Sequence, residues 1–152
     1  MKKLLFICLA AFAAASCTQE KQQSKPLYMW FDCEGNYATL SHPDSIRYYV
    51  SKIHDMGFTD VVVDVKSIMG ETLYKSDIAP YMGEWDGVTR PENYDLLGYF
   101  IEEGHKLGMR VHGSLNVFAG GHNFFDRGII YGDHADWRRR SIRKGRSCRS
   151  AK

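Results

Sequence analysis

Three stretches of this chain alternate apolar and polar residues at the period of a β-strand: LYMWFDCE (27–34), TDVVVDVK (59–66) and MRVHGSLNV (109–117). Successive side chains on a strand point to opposite faces. One parity therefore holds Met29, Phe31 and Cys33, then Val61, Val63 and Val65, then Val111, Leu115 and Val117. That face is apolar throughout and suits packing beneath helices. The other parity carries Asp32 and Glu34, Asp64 and Lys66, and His112, Ser114 and Asn116. These polar residues gather toward the strand ends, where α/β folds place their ligands.

Between the strands the period changes to that of a helix. From His42 to Met56, the residues Ile46, Tyr49, Val50, Ile53 and Met56 make one apolar stripe. Ser41 is the expected N-cap, Asp44 its capping-box acid, and Gly57 the left-handed stop. From Tyr94 to Leu107 the plan repeats: Asn93 caps, Leu97, Phe100, Ile101 and Leu107 face inward, and Gly108 ends the helix. A strand–helix–strand–helix–strand order predicts right-handed crossovers and a parallel sheet. Two long connections come after strand ends. Residues 67–93 hold Tyr74, Tyr81 and Trp85 beside Pro80 and Pro91, and residues 118–137 hold Gly120, Gly121, His122, Asn123, Asp126 and Arg127. Loops this long are uncommon unless functional. Their aromatics either stack on sugar rings or cover the loop's own small core.

The two ends change the picture further. Lys2 and Lys3, the apolar run from Leu4 to Ala14, and Ala14-Ala15-Ser16 read as a secretory leader over 1–16, too short to span a bilayer. Small residues before Cys17 resemble a bacterial lipobox. Cys17 is then lipidated and tethers the protein to the cell envelope, with the outer membrane as the expected face, and residues 17–26 form a flexible tether. Ordinary cleavage beside an incidental cysteine is the alternative. Residues 138–152 carry eight Lys and Arg and no acid, so the formal net charge of +2 conceals 12 basic against 18 acidic residues elsewhere. Such a tail would suit an anionic surface or nucleic acid. Its abrupt start after Trp137 and its Arg/Ser/Gly make-up read instead as out-of-frame sequence after a lost frame or truncation, and no nucleic-acid partner is expected. The four cysteines lack metal-knuckle spacing and the six histidines form no HExxH, so neither a metal nor another cofactor is expected.

Taken together, MWFDCEGNYATL (29–40), DVVVDVKSIMGETLYKSDIAPYMGEW (60–85), GMRVHGSLNVFAGGHNFFDRGIIYGDHADW (108–137) and the lipoprotein leader resemble the N-terminal part of a family 10-like glycosyl hydrolase, a group of Bacteroides-type glycosidase-like lipoproteins. The resemblance implies an α/β fold: over residues 27–137, about three βα units from the N-terminal portion of a (β/α)8 TIM-type barrel. At 152 residues the chain is shorter than the roughly 250 a closed barrel needs. It further implies a carbohydrate-active protein that hydrolyses O-glycosidic bonds in plant or host polysaccharide fragments. Glycosidases of that architecture place their catalytic carboxylates on later strands, so this copy is expected to lack them, and no catalytic residue is assigned.

The residues carried over as substrate-binding are Asp32, Asp64, Lys66, His112 and Asn116. Asp32 and Glu34 lie on the same side of any substrate, which suits hydrogen bonding better than flanking a glycosidic bond. Asp64 and Lys66 either pair with each other or hold sugar hydroxyls, and His112 is either a satisfied core histidine or a site residue. Two other readings stand beside hydrolysis: a non-catalytic glycan-binding surface lipoprotein, and a small doubly wound domain with a basic arm.

Overall fold

The computed structural model describes residues 25–132 and 134–137. The leader, Cys17, most of the 17–26 tether and the basic tail 138–152 lie outside the described residues. In chain order the elements are β1 (Tyr28–Phe31), α1 (Pro43–Asp55), β2 (Asp60–Lys66), the hairpin strands β3 (Glu84–Trp85) and β4 (Val88–Thr89), α2 (Leu96–Lys106) and β5 (Arg110–Leu115), with 3-10 turns at Thr39–Ser41 and Ala135–Trp137.

Alternating valines put β2 at the centre of the sheet. Val61, Val63 and Val65 are buried on the helix side, and β2 pairs in parallel with β1 on one edge and β5 on the other. The β2–β5 register shifts between Asp64 and Lys66. Over the valines lie Ile46, Val50 and Ile53 of α1 and Leu96, Phe100 and Gly104 of α2. Gly104 is there for closeness: a Cβ on it would come within 2.7 Å of Val111 Cγ2. The buried stripes are narrower than expected, because Tyr49, Met56 and Ile101 remain exposed at the helix edges.

Both helices stop at the expected glycines, Gly57 and Gly108, each with positive φ. Their starts differ from expectation. Helix α1 begins at Pro43 with His42 as its N-cap and no side-chain cap bond. The Ser41 hydroxyl is occupied elsewhere, donating to the Tyr37 carbonyl at 2.6 Å and accepting from Arg90 Nε at 2.7 Å. Helix α2 is capped by Asp95, whose carboxylate accepts the Gly98 N–H at 2.9 Å, so the cap falls two residues later than Asn93.

The barrel expectation is overturned. The described residues form a three-stranded parallel sheet with two helices, plus a separate two-stranded antiparallel sheet, so three βα units are not present. After β5 the chain enters turns rather than a helix, because residues 118–132 have no apolar stripe at helical spacing and include Gly120, Gly121, Gly128 and Gly132. The connection 67–93 is also less open than a bare loop. Thr72 is buried, donates its N–H to the Pro80 carbonyl at 2.8 Å and accepts the Met82 N–H at 2.8 Å, while Met69, Leu73 and Met82 join the core. Arg90, 3% exposed, lies 3.6 Å from the Tyr37 ring centre and donates Nη2 to the Tyr37 carbonyl, pinning this segment to the first turn.

At the N-terminal end of the sheet the fully buried Asp60 gathers polar partners around one cation, Arg110. Its carboxylate accepts both Arg110 Nε and Nη2 at 2.7 and 2.8 Å, the Thr59 hydroxyl at 2.6 Å, and faces His112 Nε2 at 2.8 Å. These bonds, Arg110 first, hold the Asp60 carboxyl well below the usual carboxylate range. A depressed folded-state value means that the cluster's contribution is complete above the unfolded value of about 4 and is lost as pH falls through the folded one. Asp60→Asn is therefore expected to be less stable at neutral pH and to show a flatter stability loss on acidification. Parallel acid-unfolding curves for the two proteins, read by circular dichroism, would sink this account.

Candidate functional site

Asp32, Glu34, Asp64, Lys66, Asn116 and Trp85 line one cavity of about 420 Å³ at the C-terminal ends of the three parallel strands. Each side chain arrives there for a local reason. Strand β1 ends at Phe31, so Asp32 and Glu34 sit in the turn after it rather than on the strand. Asp32 Oδ1 accepts the Gly35 N–H at 2.9 Å, and its carbonyl accepts the Asn36 N–H and side-chain amide. Glu34 reaches across to accept the Ile68 N–H at 3.2 Å. Burial raises the Glu34 carboxyl above its ordinary value, with the charge of Asp32 adding to the effect against that hydrogen bond.

Asp64 and Lys66 do not pair. Asp64 accepts the Trp30 indole N–H at 2.9 Å, and Lys66 Nζ donates to the backbone carbonyls of Asn116, at 2.7 Å, and Ala119. Lys66 thus fastens the end of β2 to the chain leaving β5, and burial holds its ammonium below the usual lysine range. The Asn116 amide donates back to the Lys66 carbonyl at 3.4 Å. Of the five sequence-predicted residues, Asp32, Asp64, Lys66 and Asn116 meet at this cavity. His112 does not: it sits at the other end with Asp60, and four residues along a parallel strand separate it from Asn116 by about 13 Å. Cys33 is fully buried behind the cavity, and burial, reinforced by Asp64, pushes its thiol up to about 12, so it offers no nucleophile.

The wall that sequence reasoning did not place among the site residues is Trp85. It stands on β3 beside a tight turn in which Asp86 and Gly87 have φ of +51° and +76°. Asp-Gly between two extended residues is the signature of a two-residue hairpin, and it was legible in E-W-D-G-V-T. Loop 118–132 braces the indole: the Phe125 ring meets it edge-on at 5.0 Å and the Arg127 guanidinium lies 5.8 Å from its centre. Arg127 is itself held by Glu71 through two bonds of 2.8 and 2.6 Å. Among the described residues no group of three or more His, Cys, Asp or Glu is placed to hold a metal ion.

A rigid indole opposite carboxylates, an amide and a partly buried lysine can bind a polyhydroxylated ring, offering hydrogen-bond partners on one side and an apolar face on the other. No family model matches the chain. It is similar to an S-layer-related protein of Niallia circulans, 28% identical over 122 residues, an alignment that covers 76% of this chain and 8% of that protein. The chain therefore spans far less than two thirds of that relative's own length.

Proposed function

We propose that this protein recognises carbohydrate at the strand-end cavity and does so outside the cytoplasm, at the cell envelope. The observation that carries the reading is the convergence of Asp32, Asp64 and Asn116 with the braced Trp85 around one 420 Å³ space. Acidic and amide side chains accept and donate to sugar hydroxyls, and an indole face suits the C–H face of a pyranose. The leader before Cys17 and the likeness to a protein named for the surface layer support the envelope setting. Lipidation of Cys17 is the finer proposal for how the protein is held there.

The test is binding to an array of defined plant, host and bacterial glycans, followed by calorimetry. Trp85→Ala is expected to weaken the best glycan by about 2 kcal/mol, roughly thirtyfold, with the circular dichroism spectrum unchanged. Equal affinity for wild type and Trp85→Ala would sink the reading.

A second reading, hydrolysis, is favoured by Glu34. Burial raises the Glu34 carboxyl above its ordinary value, the direction that suits an acid serving a leaving glycosidic oxygen. Release of reducing ends by the wild type, abolished in Glu34→Gln, supports it. Binding without release leaves recognition alone.

A further inference from the structure

We propose that the binding cleft continues past Glu34 and Trp85 into a second cavity, which takes the next unit of an oligosaccharide, so that the preferred ligand is an extended glycan chain rather than a single sugar. This rests on the carbohydrate reading above. A second space of about 250 Å³ adjoins the first and shares Glu34, Gly35 and Trp85 with it, its far side being formed by residues 36–39 and Asp86. Alone it falls below the roughly 300–1,000 Å³ typical of ligand pockets, whereas the first lies within that range. Its natural role is thus an extension of the first.

Its chemistry also continues that of the first. The Thr39 hydroxyl and the Asp86 carboxylate have no hydrogen-bond partner among the described residues, so both are free for sugar hydroxyls. Trp85 lines both spaces, and its bracing by Phe125 and Arg127 means that neither space need reorganise the indole on binding. Glu34 stands at the junction with one carboxylate oxygen accepting from Ile68, which leaves the other to accept from a sugar hydroxyl beside the linkage between the two units.

The experiment uses the full chain on an array that presents each glycan as a ladder from monosaccharide to longer oligosaccharide, with dissociation constants for the best ladder from calorimetry. The expected result is affinity rising about tenfold or more from the monosaccharide to the next steps. Ala38→Trp fills the second space from an exposed residue whose backbone, φ −59° and ψ −50°, accepts any side chain. It is expected to bring the longer ligand down to the monosaccharide's affinity. A wild-type ladder that is flat from the first unit onward overturns the inference while leaving carbohydrate recognition standing. No binding to any glycan on the array overturns both.

Discussion

Replacing Phe100 with alanine is expected to lower the free energy of unfolding by about 3–5 kcal/mol. Phe100 is fully buried on the inner face of α2, and its ring meets Phe31 of β1 edge-on with centroids 4.8 Å apart and planes at 61°. It therefore joins the second helix to the first strand, two elements far apart in the chain. The cost has two parts, the lost transfer of the ring from water and the cavity left behind, because the sheet beneath cannot collapse into it. Against a domain stability of about 5–15 kcal/mol, that is a large share of the total. Phe100→Leu keeps much of the volume and is expected to cost under about 2 kcal/mol. Urea titration monitored by circular dichroism gives both values. A loss below about 1 kcal/mol for Phe100→Ala would mean that α2 does not pack on the sheet as described.

The parts of the fold that were legible are those where one physical rule acts locally. Valines at 61, 63 and 65 bury because a strand alternates, and Gly57 and Gly108 end helices because an L-residue resists the left-handed backbone there. The misplaced helix starts come from competition. Ser41 would cap α1 had Tyr37 and Arg90 not taken its hydroxyl, and the Arg90 contact joins residues 49 apart, beyond any local pattern. The barrel units that the family resemblance implied are absent from the described residues for a related reason. Crossovers dictate that strands run parallel, but a third βα unit also needs residues 118–132 to form a helix. Their glycines and lack of an apolar stripe decide that they do not.

The site was legible by parity and poorly legible by position. Alternation correctly set Asp64, Lys66, His112 and Asn116 on one face, yet a face extends the whole length of a strand, and His112 belongs to its far end with Asp60. Asp64 and Lys66 suggest an ion pair because their charges are opposite and two residues apart. Instead, Trp30 and the backbone carbonyls beyond β5 supply better-directed partners for each. Trp85 lies in a segment without periodic pattern, and only the Asp-Gly turn signals that its backbone is fixed.

Gly128→Ala tests whether that fixed wall depends on the loop behind it. Gly128 has φ +111°, and a Cβ there would fall 2.3 Å from Gly121 Cα, 2.5 Å from the Met69 carbonyl oxygen and 2.6 Å from that of Gly120. All three are backbone atoms, so no side-chain rotation relieves the clash, and the positive φ adds its own penalty for an L-residue. Loop 118–132 must then move away from residues 67–70, taking Phe125 and Arg127 from Trp85 and loosening the Glu71 pairing. The helices and the parallel sheet do not rely on these contacts, so the expected outcome is local. Far-UV circular dichroism should be retained, proteolytic cleavage within 118–132 should quicken, and, on the proposed carbohydrate reading, glycan affinity should fall by about 2 kcal/mol or more, matching or exceeding Trp85→Ala. If the variant binds glycan as the wild type does while its loop is cleaved faster, Trp85 holds its position without the loop, and the bracing argument fails. If it binds normally and its loop is equally resistant, the glycine-to-backbone packing itself is wrong.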